Sequence, residues 1–357
     1  MKSSILKHAR PLAMLLALAS CTGTAAFAET PDIGPLPPVT PNPDNMPTPE
    51  RIALGKALFF DNRVSGNGTM NCSSCHLPNF GWTLPSAFSL ANTGFVERRN
   101  APTLINVGYN KALIWDGRAP NLEKQAIGST TNPVHKAQDM AKLMAVLNQD
   151  EKVVGMFQSA YNSKPNPEDF GKAMAVFQRH TLISGDSDFD RYMKGDKKAL
   201  SASAIDGMAL FKGKAGCIQC HNGPNFTDSG FHNTGMKRNP VFDEAPYRDM
   251  LKFDAKRMKV EEWESVTDDS GRYLVTHKKE DWKKFKTPTL RNITETKPYM
   301  HDGRYETLDE VIAHYDRGGD GAENQDVRIK PLGLSAQEKA GLKAFLMALR
   351  GELPKVD

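Results

Sequence analysis

Apolar residues recur at helical spacing in three stretches of this chain. Within each stretch the apolar positions follow i, i+3, i+4 and i+7, which places them on one face of a helix. The three faces are Met140, Leu143, Met144 and Leu147; Phe170, Ala173, Met174 and Phe177; and Leu342, Phe345, Leu346 and Leu349. No hairpin signal competes with them in the sequence. The pattern predicts an all-α protein whose helices bury these faces.

Two helix starts are marked by capping-box spacing. Thr307 is followed three residues later by Glu310, and Ser335 is followed by Glu338. In a capping box each side chain satisfies a backbone N–H that the first turn leaves unpaired. We therefore expect helices to begin at these two positions.

The first 28 residues have the features of an export signal. Three basic residues precede an apolar run over 12–19, and Ala26-Phe27-Ala28 follows as a small-residue cleavage site. The run is far shorter than the roughly 20 residues that span a bilayer. We interpret 1–28 as a signal peptide and expect a periplasmic protein with no transmembrane segment.

A second interpretation of the same segment stays open. Leu18-Ala19-Ser20-Cys21 resembles a bacterial lipobox, in which Cys21 becomes the lipidated first residue. The next segment, 29–49, contains eight prolines, which favour a stiff, extended spacer over a packed element. Such a Pro-rich extension suits a lipid tether and a plain N-terminal extension equally well.

Composition narrows the class of protein. The chain has 357 residues, 39% of them hydrophobic and 25% charged, as expected for a soluble globular protein of about two domains. The formal net charge of +4 falls to about +1 without the three basic residues of 1–28. This balance leaves no electrostatic footprint for nucleic acid.

The other four cysteines form two motifs of identical CxxCH spacing. The motifs are Cys72-Ser73-Ser74-Cys75-His76 and Cys217-Ile218-Gln219-Cys220-His221. Two thiols at this spacing add to the vinyl groups of haem, while the adjacent histidine supplies an axial nitrogen to iron. A zinc site, a redox-active dithiol or two disulfides would explain the cysteines but not the histidines. The sequence therefore predicts two covalently bound haem c groups.

A wider repeat relates the two halves of the chain. Pro102-Thr103-Leu104, Asn106, Asp116-Gly117-Arg118 and Leu122 recur 186 residues later as Pro288-Thr289-Leu290, Asn292, Asp302-Gly303-Arg304 and Leu308. The haem motifs are only 145 residues apart, so the second half has an insertion of about 41 residues, which we assign to 239–286. We predict two cytochrome c-like haem domains, 50–198 and 199–357, that meet near the turn-rich segment 195–203.

The sixth ligand of each iron decides the function. A haem iron with protein ligands at both axial positions transfers electrons, whereas an iron with one open axial position allows peroxide chemistry. Tyr315 lies about two turns into the helix that Thr307 begins, and the repeat maps it onto Ser129, a poor iron ligand. Tyr315 would close the second haem and leave the first open. A buried aromatic is the alternative for Tyr315, and the competing ligands are Met236, Met300, His301 and His314.

Longer motifs resemble the bacterial di-haem cytochrome c peroxidase and MauG family over nearly the whole chain after residue 28. They are Arg99-Asn100-Ala101-Pro102-Thr103, Ile114-Trp115-Asp116-Gly117-Arg118-Ala119, Asp186-Ser187-Asp188-Phe189-Asp190-Arg191-Tyr192 and Pro298-Tyr299-Met300-His301-Asp302-Gly303. The resemblance implies a peroxidatic haem on His76, an electron-transfer haem on His221, and Trp115 as an electron relay between them. Core packing is the alternative for Trp115.

The resemblance also implies a calcium ion between the domains. In this family the ion is held by the asparagine side chain of the RNAPT segment and by two backbone carbonyls. The corresponding residues here are Asn100, Thr296 and Pro298.

Tyr315 is at the position of the axial ligand of the second haem, where it resembles the tyrosine of MauG-type members. Ordinary members have a methionine there. A phenolate stabilises oxidised iron relative to a thioether, so it lowers the reduction potential. Ordinary members also block the first haem with a histidine until the second is reduced. Here the loop 92–99 has no histidine and offers no obvious strong ligand.

The distal pocket of the first haem departs from the family pattern. After Gln125 the family has Gly-Pro and then Asn-Pro-x-Glu, whereas this chain has Gly128-Ser129 and Asn132-Pro133-Val134-His135. The glutamate moves a proton between the two oxygens of peroxide, and His135 is able to do the same. The alternatives are that His135 ligates the iron or lies in a solvated loop.

Three functions follow as expectations. The first is reduction of hydrogen peroxide to water at the first haem, with electrons passed through the second haem from a small periplasmic cytochrome c or cupredoxin. The second is a MauG-like oxidase that uses a high-valent di-haem state to modify Trp or Tyr of a partner protein. The maturase places a surface Trp two residues before the second CxxCH, where this chain has Ala215. The third is a non-enzymatic di-haem electron carrier.

Overall fold

A computed structural model describes Met1 and residues 31–356. Apart from Met1, the predicted signal peptide, with Cys21, lies outside the described residues. Within those residues, no helix is both long enough and apolar enough to cross a bilayer.

Helices make up nearly all of the regular structure, as predicted. The α-helices are α1 Pro49–Phe59, α2 Leu122–Thr131, α3 Met140–Leu147, α4 Glu151–Tyr161, α5 Pro167–Thr181, α6 Asp188–Met193, α7 Ala202–Lys212, α8 Ala245–Arg257, α9 Tyr273–Thr276, α10 Leu308–Asp316 and α11 Ala336–Met347. Short 3₁₀ helices cover Asn62–Val64, Cys72–Ser74, Pro78–Phe80, Val107–Tyr109, Cys217–Gln219, Pro240–Asp243, Trp263–Ser265, Lys279–Asp281 and Ile293–Glu295. Two strands, β1 Phe231–His232 and β2 Phe285–Lys286, pair antiparallel.

The three apolar stripes form the helices α3, α5 and α11, and both capping boxes are present. The Thr307 hydroxyl accepts a hydrogen bond from the N–H of Glu310 at 3.2 Å, and the Ser335 hydroxyl accepts one from Glu338 at the same distance. The helix α11 ends two residues before Leu349, which is nevertheless fully buried. The periodic pattern thus located the core better than it located the helix end.

Two large apolar clusters form the core, one in each half. In the first, α1 and α5 pack together around Phe59, Phe157 and Phe177. In the second, α7 packs against α11 around Phe211 and Phe345. Phe189 and Ile33 also pack in the second cluster. The division of the chain at residues 198 and 199 remains a prediction.

The internal repeat is visible in the backbone. Asn106 and Asn292 both have left-handed conformations, with φ of 59° and 55°, and each begins a 3₁₀ helix. Leu113 bridges Ala119, and at the same offset of 186 residues Tyr299 bridges Tyr305. The two halves therefore share local geometry as well as motifs.

The halves meet through a reciprocal pair of backbone hydrogen bonds. The N–H of Asn100 donates to the carbonyl of His301 at 2.8 Å, and the N–H of Lys286 donates to the carbonyl of Trp115 at 2.7 Å. The repeat offset relates Asn100 to Lys286 and Trp115 to His301. The interface thus has approximate twofold symmetry.

The stretch 239–286 carries α8, α9 and β2, and it has a small apolar cluster of its own around Phe242, Leu251 and Leu274. Two of its buried carboxylates, Asp254 and Asp269, bind arginines of the first half. The insertion therefore joins the two halves.

The Pro-rich extension is extended but packed, contrary to our expectation of a spacer. Ile33 is only 4% exposed in the second core, and the buried Asn45 donates to the carbonyl of Lys172 at 2.9 Å. The backbone carbonyls of an extended, proline-rich segment have no partners within the segment. One of them, the carbonyl of Pro37, accepts a hydrogen bond from the Tyr109 hydroxyl at 2.6 Å. These two bonds attach the extension to the first half, and the packing of Ile33 attaches it to the second.

Candidate haem sites

The first CxxCH motif begins a 3₁₀ turn after Asn71 and turns its histidine inward. Nδ1 of His76 lies 3.1 Å from the carbonyl of Trp82. An Nδ1–H donated to a carbonyl leaves the lone pair on Nε2, the nitrogen that an axial ligand uses. Burial lowers the pKa of His76 to about 4, so the imidazole is neutral at pH 7.

The second motif repeats this arrangement. Nδ1 of His221 lies 3.0 Å from the carbonyl of Phe226, and burial lowers the pKa of His221 to about 4. The four cysteines Cys72, Cys75, Cys217 and Cys220 form no disulfide among the described residues. Both motifs thus offer two free thiols and one neutral imidazole.

A single cavity of about 780 Å³ reaches both motifs. Its walls include the four cysteines and two histidines of the motifs, together with Trp115, Gln125, His135 and Tyr315. Its surface is mainly apolar, as a haem site requires. The thiols, the oriented imidazoles and the cavity together fit a covalently bound haem at each motif.

Tyr315 lies on α10 and lines the cavity wall beside the second motif. Burial raises the pKa of its phenol above the usual range, so a phenolate at this place needs a cation beside it. Among the competing ligands, Met236, Met300 and His301 also line the cavity. His314 is turned away, since its Nε2 lies 2.9 Å from the Thr234 carbonyl and its Nδ1 3.1 Å from the Tyr305 hydroxyl.

The cavity wall beside the first motif is formed by α2 and the turn after it. Gln125 and Ser129 are one helical turn apart on α2, and His135 follows the helix end. The Ser129 hydroxyl accepts a hydrogen bond from Nζ of the buried Lys136 at 2.8 Å. Ser129 is therefore held by a side chain that our sequence reasoning had not considered.

Glu97 is the other site residue missing from the sequence prediction. It lies in the loop 92–99, lines the cavity, and places Oε1 3.4 Å from Nε2 of His135. Its side chain is 13% exposed, and burial raises its pKa to about 7. Acidic residues in loops are usually exposed to solvent, so the local sequence gave no reason to predict that Glu97 is part of the site.

Trp115 lies at the interface between the halves and lines the cavity. Its Nε1 donates to the carbonyl of Asn100 at 2.8 Å, and its ring meets the edge of His301 with centroids 6.5 Å apart. A fixed aromatic ring therefore lines the cavity that reaches both motifs.

The three residues expected to bind calcium also line this cavity. Nδ2 of Asn100 donates to the carbonyl of Ser86 at 2.9 Å, which leaves Oδ1 for a cation. Thr296 and Pro298, whose backbone carbonyls are the other expected ligands, line the same cavity.

Buried ion pairs bind the first half to the insertion at the cavity rim. Asp269 binds Nε and NH2 of Arg99 at 2.5 and 2.7 Å, and Asp254 binds Arg98 at 2.5 Å. Arg99 also reaches Asp116 at 2.6 Å. Burial opposes ionisation of Asp269, yet Arg99 and Arg98 together lower its pKa well below the usual range.

The fold and the two sites define a protein with one haem-attachment motif in each of two helical halves. Residues 49–198 match the family model described as di-haem cytochrome c peroxidase. Cytochrome-c peroxidase IdrP1 of Denitromonas iodatirespirans is 39% identical over 352 residues, which cover 96% of this chain and 93% of that protein. Methylamine utilization protein MauG of Methylorubrum extorquens is 36% identical, over 85% of this chain and 79% of that protein.

A solved structure agrees with these relatives. The crystal structure of a MauG-like protein associated with microbial copper homeostasis superposes with a TM-score of 0.74 at 29% identity, covering 92% of this chain and 95% of that one. The chain belongs to the di-haem cytochrome c peroxidase and MauG family. It is an oxidoreductase of the peroxidase type, and the cofactor that this family implies is haem c.

Proposed function

We propose that the protein reduces hydrogen peroxide to water at the first haem in the periplasm. The electrons come through the second haem from a small cytochrome c or cupredoxin. Each peroxide takes up two electrons and two protons and gives two molecules of water. Relatives named cytochrome c peroxidases support this reaction.

The asymmetry between Tyr315 and Ser129 carries the proposal. Tyr315 lines the cavity wall beside the second motif, where its phenolate would hold the second iron. At the equivalent position of the first site, the Ser129 hydroxyl is bound to Lys136. Ser129 would leave one side of the first iron free for peroxide.

The residues around the first haem have different roles in this reaction. The haem supplies the redox chemistry, and His76 holds it through Nε2. His135 exchanges protons with peroxide. The amide of Gln125, which lines the same cavity, orients the peroxide. Trp115, fixed by Asn100 and in edge contact with His301, relays electrons between the haems. Calcium held by Asn100, Thr296 and Pro298 would keep the two halves in register.

Turnover tests the proposal. Diferric protein is mixed with peroxide and a reduced small cytochrome, and oxidation of the donor is followed. We expect turnover well above that of free haem, and a Trp115→Phe variant should keep both haems and lose most of it. Turnover equal to that of free haem contradicts the proposal. Magnetic resonance of the ferric protein should show one high-spin and one low-spin haem, whereas two low-spin haems indicate an electron carrier in which His135 ligates iron.

A MauG-like oxidation of Trp or Tyr on a partner protein is the second candidate. Tyr315 and the relative named MauG favour it. Ala215, which is 9% exposed, lacks the aromatic ring that the maturase uses there. Peroxide added without a donor should give a long-lived oxidised spectrum if this function is correct, and rapid bleaching if it is not.

A further inference from the structure

Glu97 has a buried carboxylate oxygen that the rest of the protein leaves unpaired. Within the part of the chain that the structure describes, Oε1 of Glu97 has no hydrogen-bond donor. The nearest cationic or imidazole nitrogen is Nε2 of His135, 3.4 Å away but misaligned. A buried, unpaired carboxylate is costly, so a functional reason is needed for keeping it.

The backbone fixes Glu97 beside His135. The N–H of Glu97 donates to the carbonyl of Ser89 at 2.8 Å, which closes the loop on itself. Asn92, within the loop, donates its N–H to the carbonyl of His135 at 3.0 Å and its Nδ2 to the carbonyl of Lys136 at 2.6 Å. The loop and the His135 turn therefore form one unit, and the two side chains face each other at the cavity wall.

Several charged groups lie close to Glu97 and His135. Those that act on one or both members are Arg98, Arg99, Arg118, Lys136 and Asp254. The arginines are engaged with carboxylates, since Arg98 binds Asp254 and Arg118 binds Asp116. Burial raises the pKa of Glu97 to about 7, whereas partial burial and the charge of Lys136 lower the pKa of His135, whose side chain is 40% exposed, below its usual value. A proton that enters the pair at neutral pH therefore rests on Glu97 rather than on His135.

We propose that Glu97 is the proton acceptor behind His135 in the distal pocket, so that the two side chains act as one relay. Glu97 does not touch peroxide and is a positioning residue. Nδ1 of His135 takes a proton from one peroxide oxygen while its Nε2–H passes to the Glu97 carboxylate. The reverse transfer delivers that proton to the departing oxygen as the O–O bond breaks. The pair ends as it began, and the electrons come from the haems as in the proposed function, on which this inference rests.

The test uses the diferric holoprotein and cyanide, because hydrogen cyanide must lose a proton to bind ferric iron. We expect the association rate constant of wild-type protein to change with pH through one ionisation near pH 7. Glu97→Gln should remove that ionisation and slow binding at pH 7 by roughly tenfold or more, while Glu97→Asp should keep an ionisation at a shifted pH. Glu168→Gln on α5, where the side chain is 76% exposed, is the matched control and should behave as wild type.

Three outcomes decide the matter. A Glu97→Gln variant with the wild-type pH profile and a rate within twofold overturns the inference. Since Oε1 has no donor to lose, this variant should fold and bind both haems. Should it lose haem, a Glu97→Asp variant without any ionisation between pH 5 and 9 overturns the inference as well. A wild-type protein that shows the ionisation but has no peroxidase turnover refutes the proposed function and leaves the relay intact.

Discussion

Replacing Asp269 by asparagine tests how the insertion holds the two halves together. Asp269 is fully buried and binds Arg99 through both carboxylate oxygens, and Arg98 lies 3.4 Å away. The amide of asparagine has nearly the same shape, but it loses the charge and turns a donor toward one guanidinium N–H. Removing one partner of a buried pair costs about 3–5 kcal/mol. The asparagine keeps one hydrogen bond to Arg99, so we expect the variant to lose about 3 kcal/mol of stability, the lower end of this range.

The two halves need not unfold together, so the effect is best measured locally. The N–H of Asn100, next to Arg99, donates across the interface to His301, so its hydrogen exchange reports opening of the interface. A loss of about 3 kcal/mol should accelerate that exchange by roughly a hundredfold. Exchange at Leu143, within the first core, should change little.

An exposed ion pair provides the control. Asp309 binds Lys343 at 2.5 Å, but their side chains are 64% and 39% exposed. Asp309→Asn should cost less than about 1 kcal/mol, because water screens the pair. If exchange at Asn100 in Asp269→Asn lies within fivefold of that in Asp309→Asn, the buried network does not hold the interface.

Three further expectations are independent of this one. Gly207→Ala should lower the melting temperature strongly, because a Cβ there would overlap the carbonyl of Gly341, whereas Gly155→Ala, in open space on α4, should be neutral or stabilising by up to about 1 kcal/mol. Thr307→Ala should cost about 0.5–2 kcal/mol in urea unfolding, since it removes the cap of α10; an unchanged midpoint would speak against that cap. The pKa of Asp269 is lower in the folded state than its usual value of about 3.9, so its contribution should be full above that pH and lost as the pH falls further; a melting temperature independent of pH from 5 to 2 would contradict this.

Much of this fold was readable from the sequence because its signals are local. Helical periodicity predicted α3, α5 and α11, and capping boxes predicted the starts of α10 and α11. The CxxCH motifs combine all groups of a haem site within five residues, so their spacing alone indicated the chemistry. The repeat located the insertion, because an offset between two motifs does not depend on how the chain folds.

The features that the sequence did not reveal depend on distant contacts. Glu97 looks like a solvated loop residue until the fold brings His135, 38 residues further on, against it. Asp269 and Arg99 are 170 residues apart, and no periodicity links them. The strands β1 and β2 are only two residues long, too short to produce an alternating pattern.

The reciprocal bonds of Asn100 to His301 and of Lys286 to Trp115 involve main-chain atoms only. Bonds of this kind survive almost any exchange of side chains, so the two halves differ in their side chains and still join in the same way. At these equivalent positions the ring of Trp115 faces the imidazole of His301 rather than a second indole. The main-chain junction is symmetric, and the differences between the two halves lie in the side chains placed upon it.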